Sequence, residues 1–208
     1  SLHDRTGMPD KPIRIVIVGS STGGPEALSK MISGLSQPLP VPMVITQHMP
    51  PVFTTQLANR LNNMTQASVE EAKDGMTLMP GRVYLAAGNY HMTFVGNAGA
   101  ARIKLTQTPP VNFCRPSVDV MFESAVKLYG GDMLAVVLTG MGQDGKNGCG
   151  QVLEAGGRTI AQDERTSVVW GMPGAVSTAG FADQILPIEE IAPQIIRHVK
   201  TFAPEARR

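Results

Sequence analysis

Surplus charge, cysteine and long apolar runs are all scarce in this 208-residue chain. Its 18 Lys and Arg against 17 Asp and Glu leave a formal net charge of +1, too little to gather nucleic acid or an anionic membrane surface. No apolar stretch nears the roughly 20 residues that a bilayer-spanning helix needs. The first ten residues lack the apolar centre of a signal peptide, so a cytoplasmic protein is expected. Two cysteines, Cys114 and Cys149, allow at most one disulfide in a chain large enough not to need it, and reduced thiols are expected. What is present, 42% hydrophobic residues with 17% charged, suits one globular domain with a substantial core.

Residues 1–12 are polar, carry prolines and have no initiator methionine, and read as the remnant of an interdomain linker. Beyond them strands and helices alternate. Arg14 to Val18 and Met43 to Thr46 are β-branched runs, and Glu26 to Ser33 puts Leu28, Met31 and Ile32 on one helical face before Gly34 stops it. Helical spacing recurs in Phe53, Leu57, Leu61, Met64 and again in Met121, Ala125, Leu128, Tyr129. Val83 to Ala87, Met92 to Val95 and Arg102 to Thr106 read as short strands of inserted antiparallel hairpins. Alternation resumes with a strand at Leu134 to Leu138, a helix at Gly145 to Ala155, a strand at Arg158 to Ala161 and a terminal helix, Ile188 to Phe202, interrupted or opened by Pro193. The fold expected is α/β: a doubly wound, mostly parallel sheet flanked by helices on both faces, with an inserted antiparallel β-hairpin region.

Such sheets keep their working groups in the loops after the carboxyl ends of strands. Three of those loops carry a serine, a histidine and an aspartate: Gly19-Ser20-Ser21-Thr22-Gly23-Gly24, Thr46-Gln47-His48-Met49-Pro50-Pro51 and Thr139-Gly140-Met141-Gly142-Gln143-Asp144-Gly145. As a phosphate site the first loop lacks the lysine of the nucleotide-binding loop, puts Ser21 where a dinucleotide turn needs its second glycine, and has no acidic residue after the second strand. A nucleotide-binding α/β enzyme is the alternative reading. As G-x-S-x-G the same residues centre on Ser21, a hydroxyl on a strand-to-helix bend. A serine hydroxyl needs a base, and the base an orienting acceptor; His48 and Asp144 supply both. The order Ser, His, Asp differs from that of the α/β-hydrolase fold.

The stretches "GSSTGGPEAL", "ITQHMPPVFT", "RPSVDVMF", "LTGMGQDG" and "TIAQDERTSVVWGMP" together resemble the catalytic domain of the chemotaxis protein-glutamate methylesterases, the CheB family, from about Ile13 to the terminal helix. Ser20 stands where alanine is frequent in that family and Gln143 where asparagine is frequent. The resemblance implies a serine hydrolase acting on glutamate γ-methyl esters of chemoreceptor cytoplasmic helices, releasing methanol, with glutamine deamidation in some members. It places the triad on Ser21, His48 and Asp144, with Thr22 and Met141 as oxyanion or positioning groups, and requires neither cofactor nor metal. It implies residues 13–202 as the catalytic domain, 203–208 as a tail, and an N-terminal receiver domain that covers the crevice until phosphorylated, as in a two-component system. Methyl-accepting receptors and that receiver domain are the partners implied, with no nucleic acid and no membrane insertion.

Other polar residues have plainer readings. Ser20 or Thr22 caps the first helix, Asp144 the helix near Gly145, and Ser117 the helix after it, with Asp119 at its positive end. Arg115 can also face an acidic receptor segment. His3 and His198 read as solvated, and His91 as a turn or site-border residue. Cys149 reads as core, and Met49, Met141 and Met172 as an adaptable apolar rim to the crevice.

Overall fold

A computed structural model describes residues 4–204. The chain runs β1 (Ile15–Ser20), α1 (Gly24–Ser33), β2 (Met43–Gln47), α2 (Phe53–Asn62), β3 (Ser68–Glu71), β4 (Arg82–Leu85), β5 (His91–Val95) and β6 (Arg102–Thr106). It continues with α3 (Val118–Tyr129), β7 (Met133–Val137), α4 (Lys146–Glu154), β8 (Arg158–Gln162), α5 (Met172–Thr178), β9 (Gln184–Leu186) and α6 (Ile188–Thr201). Seven strands form one sheet in the order β3-β4-β2-β1-β7-β8-β9, with every pairing parallel, and β5-β6 form a separate antiparallel hairpin.

Alternate residues of the central strands feed two cores. Val16, Val18, Met43, Ile45, Leu134 and Val136 meet α1, α2 and α6 on one face. Ile15, Ile17, Val44, Ala135 and Val137 meet α3, α4, α5 and the β5-β6 hairpin on the other. Burial on both faces is why these strands read as unbroken apolar runs. The doubly wound expectation holds.

The segment from Val83 departs from its expected place. It pairs with β2 and β3 inside the main sheet, and only β5-β6 make the antiparallel insertion. β3, α5 and β9 are additional elements; β3 and β9 are short edge strands that pair on one side only, where no long apolar run is needed. α6 passes through Pro193 without interruption.

The expected cap of α1 is absent. α1 opens from Gly23 at φ 80° with no side-chain cap, because the Ser20 hydroxyl donates to Gln47 Oε1 at 2.6 Å. Glycine is required at 23: the backbone is left-handed and a Cβ would come within 2.6 Å of Val168. His198 is half-buried rather than solvated, bonded to Gln184 at 2.7 Å and stacked on Phe202. His3 lies outside the described residues.

Candidate active site

The topological switch between β1 and β7 puts three loops side by side at the carboxyl edge of β2, β1 and β7. Ser21 is fixed by its backbone: its N–H donates to the Thr139 carbonyl (3.0 Å) and its own carbonyl accepts from Gln47 Nε2 (2.9 Å). A Cβ on Gly140 would stand 2.9 Å from that of Ser21, so the β7 loop lies directly against the serine turn. On the other side the His48 N–H donates to the Ser20 carbonyl at 3.2 Å.

His48 and Asp144 meet at 2.6 Å, Nε2–H donating to Oδ2. The carboxylate is only 2% exposed. Oδ2 also accepts the Val118 N–H (2.7 Å), while Oδ1 accepts from the Asp119 N–H, the Ser117 hydroxyl and Asn112 Nδ2, each at 2.9 Å. Asp144 thus caps α3 from a distant loop. The favour is returned: Asp119, on α3, accepts the N–H groups of Gly145 (3.0 Å) and Gly148 (2.8 Å) at the start of α4. Two helix N-termini exchange carboxylates, and the Asn112 amide, also 2.9 Å from Asp119 Oδ2, bridges them. Neither Ser117 nor Asp144 caps its own following helix, as the local pattern had suggested.

Burial favours the neutral form of Asp144, but the His48 bond and the α3 N–H groups outweigh it and lower its pKa. Burial likewise works against the imidazolium of His48, and the bonds to Asp144 and then Cys114 override it, raising the pKa to about 9. Asp119 is pushed up by burial and, to a lesser degree, by the neighbouring Asp144 carboxylate.

The remaining ring nitrogen, Nδ1, faces Cys114 Sγ at 3.5 Å. Among the described residues the hydrogen bonds of the ring run to Asp144 and Cys114, and none runs to Ser21. Cys114 arrives on a tight turn: Val111 and Cys114 exchange both backbone bonds at 3.0 Å, with Asn112 (φ 53°) and Phe113 (φ 64°) between them. One four-residue turn therefore delivers an amide to two buried carboxylates, a thiol to His48, and a fully exposed Phe113 to the lip of a cleft of ≈ 500 Å³.

The family model for CheB methylesterase matches residues 16–195. The chain belongs to the CheB methylesterase family. A solved relative, the CheB methylesterase catalytic domain of Thermotoga maritima, superposes with a TM-score of 0.86 at 42% identity, covering 89% of this chain and 98% of that one. Two relatives named protein-glutamate methylesterase/protein-glutamine glutaminase are each 51% identical: one from Trichodesmium erythraeum covers 90% of this chain and 53% of its own length, the other from Nocardioides sp. 98% and 55%. The chain spans about half the length of the curated relatives it matches. None of these comparisons supports the nucleotide-binding alternative.

On this CheB-type edge, Thr22 is exposed and its carbonyl accepts from Thr139 Oγ1 at 2.9 Å; Met141 is 65% exposed at the tip of the β7 loop. Met49 lines the cleft, but Met172 is fully buried in the core at the start of α5 and is no part of a rim. His91 is buried, its Nδ1 accepting the Ser117 N–H (3.1 Å) and its Nε2–H donating to the Pro109 carbonyl (3.0 Å), so it braces the α3 start behind Asp144. Arg115 spends its donors on Asn89 and the carbonyls of Gln107 and Thr108. Cys149 is core, its thiol pushed up by burial. Sequence reasoning missed Asn112 and the role of Cys114 because their turn has Phe113 where a glycine would have marked it.

Proposed function

We propose that this chain is a serine esterase that removes γ-methyl groups from glutamates of chemoreceptor cytoplasmic helices, releasing methanol, and that it also deamidates receptor glutamines. The observation that carries it is the His48–Asp144 pair at 2.6 Å on the same sheet edge as the Ser21 turn, in a chain of this family. The names of the relatives supply the substrate class.

With Nε2 committed to Asp144, the base nitrogen is Nδ1. Ser21 Oγ replaces Cys114 as its partner, gives it the proton and attacks the ester carbonyl; Asp144 steadies the imidazolium. Methoxide leaves with that proton as methanol. Water, activated by the same nitrogen, then hydrolyses the glutamyl-serine ester. The oxyanion is held by the N–H groups of Thr22 and Met141, each worth about 3–4 kcal/mol when preorganised. Ser21's own N–H is already engaged with Thr139. Phe113 and Met49 at the cleft, with Met141 exposed on the β7 loop, offer apolar contacts to a helical substrate.

Residues 13–202 are the catalytic unit in this reading, 1–12 a linker from a phosphorylation-controlled receiver domain and 203–208 a tail. The relatives' greater length supports it. The protein works in the cytoplasm, where those receptor helices lie. No helix among the described residues is long and apolar enough to cross a membrane. Methanol release from methylated receptor membranes tests the assignment: Ser21→Ala should lose at least about 10⁴-fold in turnover. Near-normal turnover in that variant, properly folded, refutes it.

A further inference from the structure

Cys114, His48 and Asp144 bring a sulfur, an imidazole and a carboxylate within 4.8 Å of one another. The three do not play equal parts. Both oxygens of Asp144 are taken by donors from α3, Asn112 and His48, so its carboxylate has no lone pair facing outward. Cys114 Sγ and His48 Nδ1, by contrast, face each other across 3.5 Å on the wall of the open cleft. Zinc holds a cysteine sulfur at about 2.3 Å and a histidine nitrogen at about 2.0 Å, and a tetrahedral angle between them sets the two atoms about 3.5 Å apart. The other ring nitrogen already donates to a carboxylate, the usual outer-sphere partner of a metal-bound histidine, which fixes the ring orientation and leaves Nδ1 facing the sulfur.

We infer that a thiophilic divalent cation of the zinc type binds between Cys114 Sγ and His48 Nδ1, with water from the cleft completing its coordination, and that it switches the esterase off. Binding displaces the Cys114 thiol proton and the His48 Nδ1 proton to solvent and forms one metal–sulfur and one metal–nitrogen bond, with no change of oxidation state. The lone pair so engaged is the one that must accept the Ser21 proton, so inhibition is direct. The inhibitory consequence rests on the esterase reading; the binding itself does not. Hard cations such as Mg²⁺, which prefer oxygen ligands, should not compete.

The test is Co²⁺ titration of the chelator-stripped chain, read by thiolate-to-cobalt absorption, alongside methanol release with Zn²⁺. The band should appear in wild type and in Ser21→Ala, be displaced by Zn²⁺, and vanish in Cys114→Ala and Cys114→Ser with far-ultraviolet dichroism unchanged. Zn²⁺ should suppress wild-type turnover, a chelator should restore it, and either Cys114 variant should need at least about tenfold more Zn²⁺. No band in folded wild type, a band that survives loss of Cys114, or equal inhibition by Mg²⁺ overturns the proposal. A band in a chain whose Ser21 variant keeps full turnover sinks the esterase reading alone.

Discussion

At the scale of single residues the decisive object is the His48 ring. Burial alone would lower its pKa, but Asp144 on one nitrogen and Cys114 on the other raise it to about 9. A general base must be neutral, so in metal-free protein kcat/KM should climb from neutrality to a midpoint near pH 9 instead of levelling off above about 6.5. Cys114→Ala removes one of the bonds that favour the imidazolium, and the rising limb should move to lower pH; a pH–rate profile of both proteins checks it. The same raised pKa stabilises the fold: the contribution is complete below about 6.5 and is lost as pH rises through about 9.

Elements are held in place here by each other's carboxylates. A helix start is normally capped from the residue just before it, whereas α3 is capped by Asp144 from the β7 loop and α4 by Asp119 from α3. The exchange locks the loop bearing Asp144 to the helix that α4 packs against, so the orientation of the Asp144 carboxylate is part of the helix packing. Asn112→Ala leaves two buried carboxylates short of a donor and should destabilise by about 1–3 kcal/mol, measured in urea. Asp119→Ala should destabilise by about 0.5–2 kcal/mol and lower kcat as the Asp144 loop loosens. Because Asn112 contacts both carboxylates, the double variant should fall short of the sum. None of this was legible in the local pattern: Ser117 and Asp144 each precede a helix and each reads as its cap.

For the molecule as a whole, two apolar layers hold the sheet while the loops carrying Ser21, His48 and Asp144 stay at one edge. Leu28, on α1, is wholly buried on the face formed with α2 and α6. Leu28→Ala should destabilise by about 2–5 kcal/mol yet leave kcat/KM of the folded fraction near wild type, since Leu28 is buried in the core and lines no part of the cleft. Denaturation and methanol release on the same sample separate the two effects.

Periodicity and turn chemistry determined the alternating α/β pattern and singled out the three loops that carry Ser21, His48 and Asp144, because each depends on residues within one strand–loop–helix stretch. Partnership across the chain was decided only in three dimensions. Placing Val83 in the main sheet, exchanging the caps of α3 and α4, burying Met172 and setting Cys114 against His48 all depend on neighbours far away in sequence. Hydrogen-bond donors and acceptors buried by packing must find partners wherever the fold brings them, and that choice leaves no local trace.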